Sequence, residues 1–218
     1  MAGRIMIMAG GTGGHVFPAL AVATELRQRG WDVFWLGTHN SFEARVIPPQ
    51  GIQMEWIDIK GVRGKKLLQK LLLPVRLLHA MFQAMRVIQR RQPAVVLGMG
   101  GFVSGPGGLV SRVMGKPLVI QEQNTIPGMT NRWLAKVASL VFEAFPGSFE
   151  RSANARVSGN PVRQEMFMAD TPEQRLALRT GAVRLLVLGG SLGARALNEI
   201  LPQAIGLLPQ QQRPEILH

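Results

Sequence analysis

Short apolar runs alternate with longer segments of helical periodicity along almost the whole chain. The runs Arg4–Ala9, Asp32–Leu36, Met54–Ile59, Ala94–Gly98, Pro117–Ile120 and Leu140–Phe145 predict strands. Between them, Ala19–Arg29, Phe42–Pro48, Leu67–Arg91, Gly107–Met114 and Thr130–Ala138 predict helices, with Pro74 expected to break or kink the longest. This alternation argues for an α/β fold, a mostly parallel sheet covered by helices on both faces. Ligands in such folds sit at the carboxyl ends of the strands, and each glycine-rich segment of this chain follows a predicted strand.

A boundary is expected near Ser158-Gly159-Asn160-Pro161. Beyond it come a polar helix, Thr171–Thr180, then a strand Val183–Leu188, a turn Gly189–Gly193, a helix Ala194–Leu208 and the start of another strand, Glu215–His218. One such unit is too small to bury its own apolar faces. The expected domains are therefore residues 1–159 and 160–218, with the chain stopping inside the second.

Composition narrows the function. The 218 residues are 46% hydrophobic, ample for a core, and include no cysteine, so neither disulfides nor zinc–thiolate sites are expected. The apolar run before the first glycines is too short for a signal peptide. The charge-free stretch Gln92–Ser111 is too rich in glycine to read as a membrane span. A net charge of +12 points to anionic partners: nucleic acid, acidic lipid or phosphorylated substrates. Nucleic acid is the weakest of these, because tyrosine is absent, aromatics are few and no zinc-finger or RNP signature appears.

Six segments carry candidate chemistry. Gly10-Gly11-Thr12-Gly13-Gly14-His15 follows the first strand and opens a helix, where bare amides and the helix dipole favour an anion. It lacks the lysine of a Walker A loop. Val16 replaces the third glycine of a dinucleotide fingerprint, and the second strand ends without a ribose-binding acid. A ligand site and a plain tight turn both fit it. Gly98–Gly108 reads as a flexible loop or as a backbone surface around a polar ligand. Gln121-Glu122-Gln123-Asn124 reads as loop residues or as hydrogen-bonding groups for sugar hydroxyls. In Gly159-Asn160-Pro161-Val162-Arg163 a common turn is followed by an arginine able to clamp phosphate. Gly189-Gly190-Ser191-Leu192-Gly193 repeats the opening device, with a hydroxyl at Ser191, as if two half-sites faced one cleft. Lys60–Lys66 with Leu67–Arg91 reads as a core helix with a basic edge or as an interfacial segment on anionic lipid.

In order and spacing these segments resemble the bacterial N-acetylglucosaminyltransferases of peptidoglycan synthesis, which move GlcNAc from UDP-GlcNAc onto lipid I to give lipid II. The matching pieces are Gly10–Pro18, Gly98–Pro106, Glu122–Asn124, Gly159–Arg163 and Gly189–Ser191. The resemblance implies a GT-B fold: a Rossmann-like N-terminal domain for the acceptor and membrane, then a second Rossmann-like domain holding most UDP-sugar contacts. By motif it implies donor contacts at Thr12, Gly13, Gly14, Asn124, Arg163 and Ser191. His15, Glu122, Asn131 and Asn198 fall on cleft positions. Gln121 and Phe102 depart from the histidine and tyrosine frequent there. The family's C-terminal domain, with its uracil pocket and acidic ribose contact, continues well past the residue aligned with His218.

The implied reaction is an inverting displacement by the acceptor's C4 hydroxyl, with His15 the first candidate for the base and Glu122 the second. No metal and no cofactor are expected. The implied partners are UDP-GlcNAc, lipid I, the anionic inner-membrane surface through Lys60–Arg91, and cell-wall synthesis and division proteins, with no nucleic acid. The implied location is the cytoplasmic face of the bacterial inner membrane, as a peripheral protein. Two rival readings remain. One is another GT-B enzyme, such as a glycolipid synthase or a UDP-GlcNAc epimerase. The other is a non-catalytic acceptor- or membrane-binding half.

Overall fold

The computed structural model describes residues 2–59, 73–167, 170–177, 179–189 and 194–218. The chain divides into two compact units, Met1–Gln164 and Glu165–His218.

In the first unit, strands β1 (Arg4–Met8), β2 (Asp32–Gly37), β3 (Gln53–Trp56), β4 (Val95–Gly98), β5 (Leu118–Glu122), β6 (Leu140–Glu143) and β7 (Arg156–Val157) form one sheet in the order β3-β2-β1-β4-β5-β6-β7. Every pairing is parallel. Helices α1 (Gly13–Gln28), α2 (Phe42–Val46), α3 (Leu73–Arg91), α4 (Ser104–Val113) and α5 (Met129–Ala135) make the crossovers. Successive side chains of a strand point to opposite faces, so each apolar run feeds two cores. Ile5, Ile7, Val33 and Trp35 pack with Val16, Ala19 and Ala23 of α1. Met6, Met8, Phe34 and Leu36 pack on the other face with Ala80, Ala84, Val87 and Ile88 of α3 and Val110 of α4.

The elements differ from the expectations at three instructive places. Helix α1 starts at Gly13, ahead of the predicted Ala19, with Pro18 inside it. Pro18, the sixth residue of the helix, lacks the amide that would bond the Gly14 carbonyl and so costs one intrahelical bond. Helix α4 starts at Ser104, so half of the glycine-rich segment is buried helix and not loop. Small residues there let α4 lie close on the sheet. A Cβ on Gly107 would stand against Met8 Sδ and 2.8 Å from Leu36 Cδ2. Strand β7 is two exposed residues with no apolar run to announce it. Pro74 lies at the beginning of the described part of α3, which continues unbroken from there to Arg91. The basic loop Lys60–Lys66 and residues 67–72 of the predicted helix lie outside the described residues.

In the second unit, β8 (Arg184–Leu186) and β9 (Glu215–Leu217) pair in parallel, with α6 (Pro172–Ala177) before β8 and α7 (Arg195–Gly206) between the strands. Thr171 and Gln174 cap α6 reciprocally: each side chain accepts the other's backbone amide. The Glu173 backbone amide and the Thr171 hydroxyl hold the Glu173 carboxyl below its usual range. Ser191 and the rest of its turn, residues 190–193, lie outside the described residues.

The packing of α4 gives a direct test. Gly107→Ala should cost about 1–3 kcal/mol by overpacking. Urea unfolding should show a lower midpoint at an unchanged slope, and an unchanged midpoint would mean that α4 is free to shift.

Candidate active site

The order of the sheet reverses between β1 and β4. There the connections leave on opposite sides and a crevice opens at the strands' carboxyl ends. The two glycine turns meet in that crevice. The Gly10 amide donates to the Gly100 carbonyl (3.2 Å) and the Met99 amide to the Met8 carbonyl (2.8 Å). Ser104 Oγ, fully buried, lies 2.9 Å from both the Met8 and the Gly100 carbonyl oxygens. Gly101 sits at φ +86°, and a Cβ on it would enter the backbone of Gly10, so no other residue permits this approach. Thr12 is the extended N-cap of α1. The amides of Gly13 and Gly14 lie in the first helical turn, where a helix has no acceptor of its own to offer.

His15 rises from that turn, and its Nδ1 lies 2.9 Å from Gln123 Oε1. Gln123 is buried at the end of β5. Its Nε2 donates to Gln121 Oε1 (2.7 Å), the Met99 carbonyl (3.2 Å) and the Gln121 carbonyl (3.4 Å). Gln121 Nε2 in turn donates to the carbonyls of Glu122 and Gly159. Asn160 Nδ2 donates to the Gln123 carbonyl, and the Arg163 guanidinium lies 5.4 Å from the centre of the Phe17 ring on α1. Four sequence-distant segments thus converge: the turns after β1 and β4, the end of β5, and Gly159–Arg163. Phe102, half exposed, follows the second turn.

Glu122, the second candidate base, has a different occupation. It is fully buried, and its Oε1 accepts from the Asn124 amide (3.0 Å) and Asn124 Nδ2 (2.8 Å). Oε2 accepts from the Gly128 amide and from Asn131 Nδ2, both at 3.0 Å. Four donors fill the carboxylate, which folds the loop 122–131 around itself. Asn131 is likewise buried and also donates to the Gln121 carbonyl. Asn198 belongs to the second unit, where it accepts from His218 Nε2 (3.0 Å).

Sequence reasoning missed two further residues of the site. Glu43 on α2 is buried. Its Oε2 accepts from the Gly11 amide (3.1 Å), and its Oε1 from the Thr38 amide (3.2 Å) and Thr38 Oγ1 (2.9 Å). The Gly11 amide, expected to be open to a ligand, is therefore held by an internal carboxylate. Thr38 also lines a cleft of about 540 Å³ with His39, Asp58, Arg76 and His79, so Glu43 joins the glycine turn to a wall of that cleft. Ser104 is the other missed residue. An acid two residues after the N-capping Ser41 reads as an ordinary surface helix start, and a serine among glycines as loop, so neither carried a signal.

A parallel sheet with two glycine turns meeting at its switch point defines a Rossmann-type ligand-binding unit. The chain belongs to glycosyltransferase family 28: the N-terminal domain of that family matches residues 5–143. It is 54% identical, over 98% of its length, to the UDP-N-acetylglucosamine--N-acetylmuramyl-(pentapeptide) pyrophosphoryl-undecaprenol N-acetylglucosamine transferase of Paracidovorax citrulli, and covers 59% of that relative. Among solved structures it is similar to MurG of Acinetobacter baumannii, with TM-score 0.80 and 43% identity over 94% of this chain and 58% of that one. A putative UDP-N-acetylglucosamine 2-epimerase of Listeria monocytogenes matches with TM-score 0.60 at 17% identity, over all of this chain and 64% of that one, and shows the fold alone. The chain thus spans somewhat under two thirds of the relatives it matches.

The Glu43 contacts generate a prediction. Glu43→Ala leaves the Gly11 and Thr38 amides without their acceptor and should destabilise the chain by about 1–3 kcal/mol. Hydrogen exchange should accelerate at Gly11 and Thr38 beyond the global change; protection unchanged at both would remove Glu43 as the clamp.

Proposed function

We propose that this chain forms the acceptor-side part of an enzyme that transfers GlcNAc from UDP-GlcNAc to the C4 hydroxyl of MurNAc in undecaprenyl-pyrophosphoryl-MurNAc-pentapeptide, giving lipid II. The reading rests on one observation above the others. His15 stands at the start of α1, beside the helix-start amides of Gly13 and Gly14 and across from the turn after β4, in a chain 54% identical to a transferase of that name. The same fold serves epimerases, so the sheet alone does not select the reaction.

In this reading the acceptor hydroxyl attacks the anomeric carbon of GlcNAc with inversion. His15 takes the hydroxyl proton and UDP departs. Glu122 holds its loop and does not serve as the base, because both its oxygens are engaged. Helix-start amides and the Arg163 guanidinium stabilise negative charge on the phosphates, a kind of preorganised electrostatics worth several kcal/mol, about 3 for a single donor. By the same reading Thr12, Gly13, Gly14, Asn124, Arg163 and Ser191 make donor contacts, and Asn198 is a cleft candidate. The proposed domains are residues 1–159 for acceptor and membrane and 160–218 for the beginning of the UDP-sugar domain.

Helix α3 supplies the proposed membrane face. It buries Ala80, Ala84, Val87 and Ile88 and exposes Val75, Leu78 and Phe82, with the Arg86 guanidinium 4.8 Å from the centre of the Phe82 ring. No helix among the described residues is long and apolar enough to cross a membrane. Apolar side chains flanked by arginines suit the surface of an anionic bilayer, where each cation contributes about 1 kcal/mol. The proposed location is the cytoplasmic face of the inner membrane, where the other cell-wall synthesis and division proteins would be neighbours.

Transfer from labelled UDP-GlcNAc to a soluble lipid I analogue tests the reading. It should be run with this chain and with the same chain continued by the C-terminal part of the Paracidovorax citrulli relative. The continued chain should transfer, and His15→Gln should lower its kcat by about 100-fold or more. Near-normal turnover in that variant would remove His15 as the base, and epimerisation without transfer would overturn the reaction. Vesicles test the surface: binding should favour anionic over neutral lipid and weaken with salt. Leu78→Ser with Phe82→Ser should reduce it, and equal partition to both lipids would defeat the electrostatic part.

A further inference from the structure

We infer that Gln123, backed by Gln121, fixes the tautomer of His15, placing the ring proton on Nδ1 and the lone pair on Nε2. The inference concerns the site described above, and its mechanistic value rests on the proposed transfer reaction; the tautomer itself does not.

The surroundings of each amide fix which of its ends is nitrogen and which is oxygen. Gln123 Nε2 faces three oxygens: the Met99 carbonyl, the Gln121 carbonyl and Gln121 Oε1, at 3.2, 3.4 and 2.7 Å. Turning the amide over would set a carbonyl oxygen against three acceptors in a buried place, with no donor for it. Gln121 is pinned in the same way, since its Nε2 faces the carbonyls of Glu122 and Gly159 at 3.2 and 3.4 Å. Turning both amides together fails too, because each would still point an oxygen at backbone carbonyls. Backbone carbonyls, whose chemistry admits no ambiguity, therefore orient both side chains. Gln123 Oε1 is left facing His15 Nδ1 at 2.9 Å.

An amide oxygen only accepts, so the hydrogen bond exists only if Nδ1 carries a proton. In the neutral ring the lone pair then lies on Nε2, the nitrogen on the far side from Gln123. Gly100 packs over the face of the ring at Nδ1: a Cβ there would stand 2.7 Å from Nδ1 and 2.8 Å from Cε1. The ring is thus held by Gln123 in its plane and by Gly100 across its face. When Nε2 takes a proton, the bond to Gln123 persists unchanged, because Nδ1 is a donor in both the neutral and the charged ring. The ring need not turn between accepting a proton and releasing it. Gln123 and Gln121 are positioning residues: neither is assigned a contact with substrate, and each acts through His15.

The direct test is proton–nitrogen correlation NMR on the 218-residue chain labelled with 15N-histidine, at a pH where the ring is neutral, with His15→Gln to assign the signal. We expect His15 Nδ1 to resonate as a protonated, pyrrole-type nitrogen and Nε2 as a bare, pyridine-type one. Protonation on Nε2, or exchange between the two forms, would overturn the inference. A second test uses Gln123→Leu in the chain continued by the relative's C-terminal part. Its kcat should fall about tenfold or more, with the KM for UDP-GlcNAc within twofold, as expected for a group that acts only by preparing a base. Unchanged kcat would overturn the positioning role. If the neutral ring shows the Nδ1–H pattern while the continued wild-type chain transfers no sugar, the function reading fails and the tautomer stands.

Discussion

The hydrogen bond from the Gly10 amide to the Gly100 carbonyl joins two turns that lie far apart in the chain but side by side at the carboxyl edge of the sheet. It forms only because nothing stands between the two backbones. Gly101 has no Cβ to strike Gly10, and the Ser104 hydroxyl reaches back to the carbonyls of Met8 and Gly100 to hold the pair. Parallel strands leave their glycine turns at one edge of the sheet, and the reversal of order between β1 and β4 spreads the following helices apart. The crevice is therefore a consequence of topology, and the close approach of the turns gives it a floor. His15 and Gln123 meet above that floor because α1 begins directly after the first turn and β5 lies next to β4.

Buried carboxylates organise the same edge. Glu43 takes the amides of Gly11 and Thr38, Glu122 those of Asn124 and Gly128, and Glu143 those of Gly147 and Phe149 at 3.0 and 3.1 Å. Burying a carboxylate is costly unless its lone pairs are met, and hydrogen bonds to a charged acceptor contribute roughly 1.5–3 kcal/mol each. Each of these three acids offsets its burial by ordering a loop that would otherwise leave amides unpaired. The arrangement also selects where an external anion can bind. Loop amides already held by an internal carboxylate are closed to it, whereas those of Gly13 and Gly14 sit at the start of a long helix, reinforced by its dipole.

The alternation of apolar runs and helical segments made the parallel sheet legible, because strands buried on both faces are apolar at consecutive positions, as in Ile5 to Met8. The glycine turns were legible as turns, and the order of the motifs pointed to the family. The start of α4 was hidden because Gly105, Gly107 and Gly108 carry a strong loop signal, and only contact with Met8, Leu36 and Leu134 makes a helix of them. Glu43 was hidden for a related reason. A carboxylate defaults to the surface, and its burial depends on amides from two other loops that local sequence does not reveal. His15 and Gln123 could each be noted in the sequence, but their pairing depends on the adjacency of β1, β4 and β5, which is a property of the assembled sheet. The role first considered for Glu122 shows the converse limit: a motif says which residue is present, and only the count of its hydrogen bonds says whether a lone pair is left over.

Helix α3 links the proposed membrane face to the proposed chemistry by the shortest covalent route. One face, Ala80, Ala84, Val87 and Ile88, is core, and its last turn is fixed to the sheet by Glu55, which receives Arg90 and, at 2.6 Å, Arg91. The opposite side exposes Val75, Leu78 and Phe82. One element thus carries both a core face and an exposed apolar face, and the proposed membrane role draws only on the second. From Arg91 the chain passes almost at once into β4, and β4 ends in the turn that meets Gly10 and packs on His15. A substrate whose lipid tail stays in the bilayer must present its sugar at a fixed distance from the surface. In the proposed reading, α3 rests on that surface and is continued by the central strand β4 to the turn beside His15, so the fold itself sets such a distance.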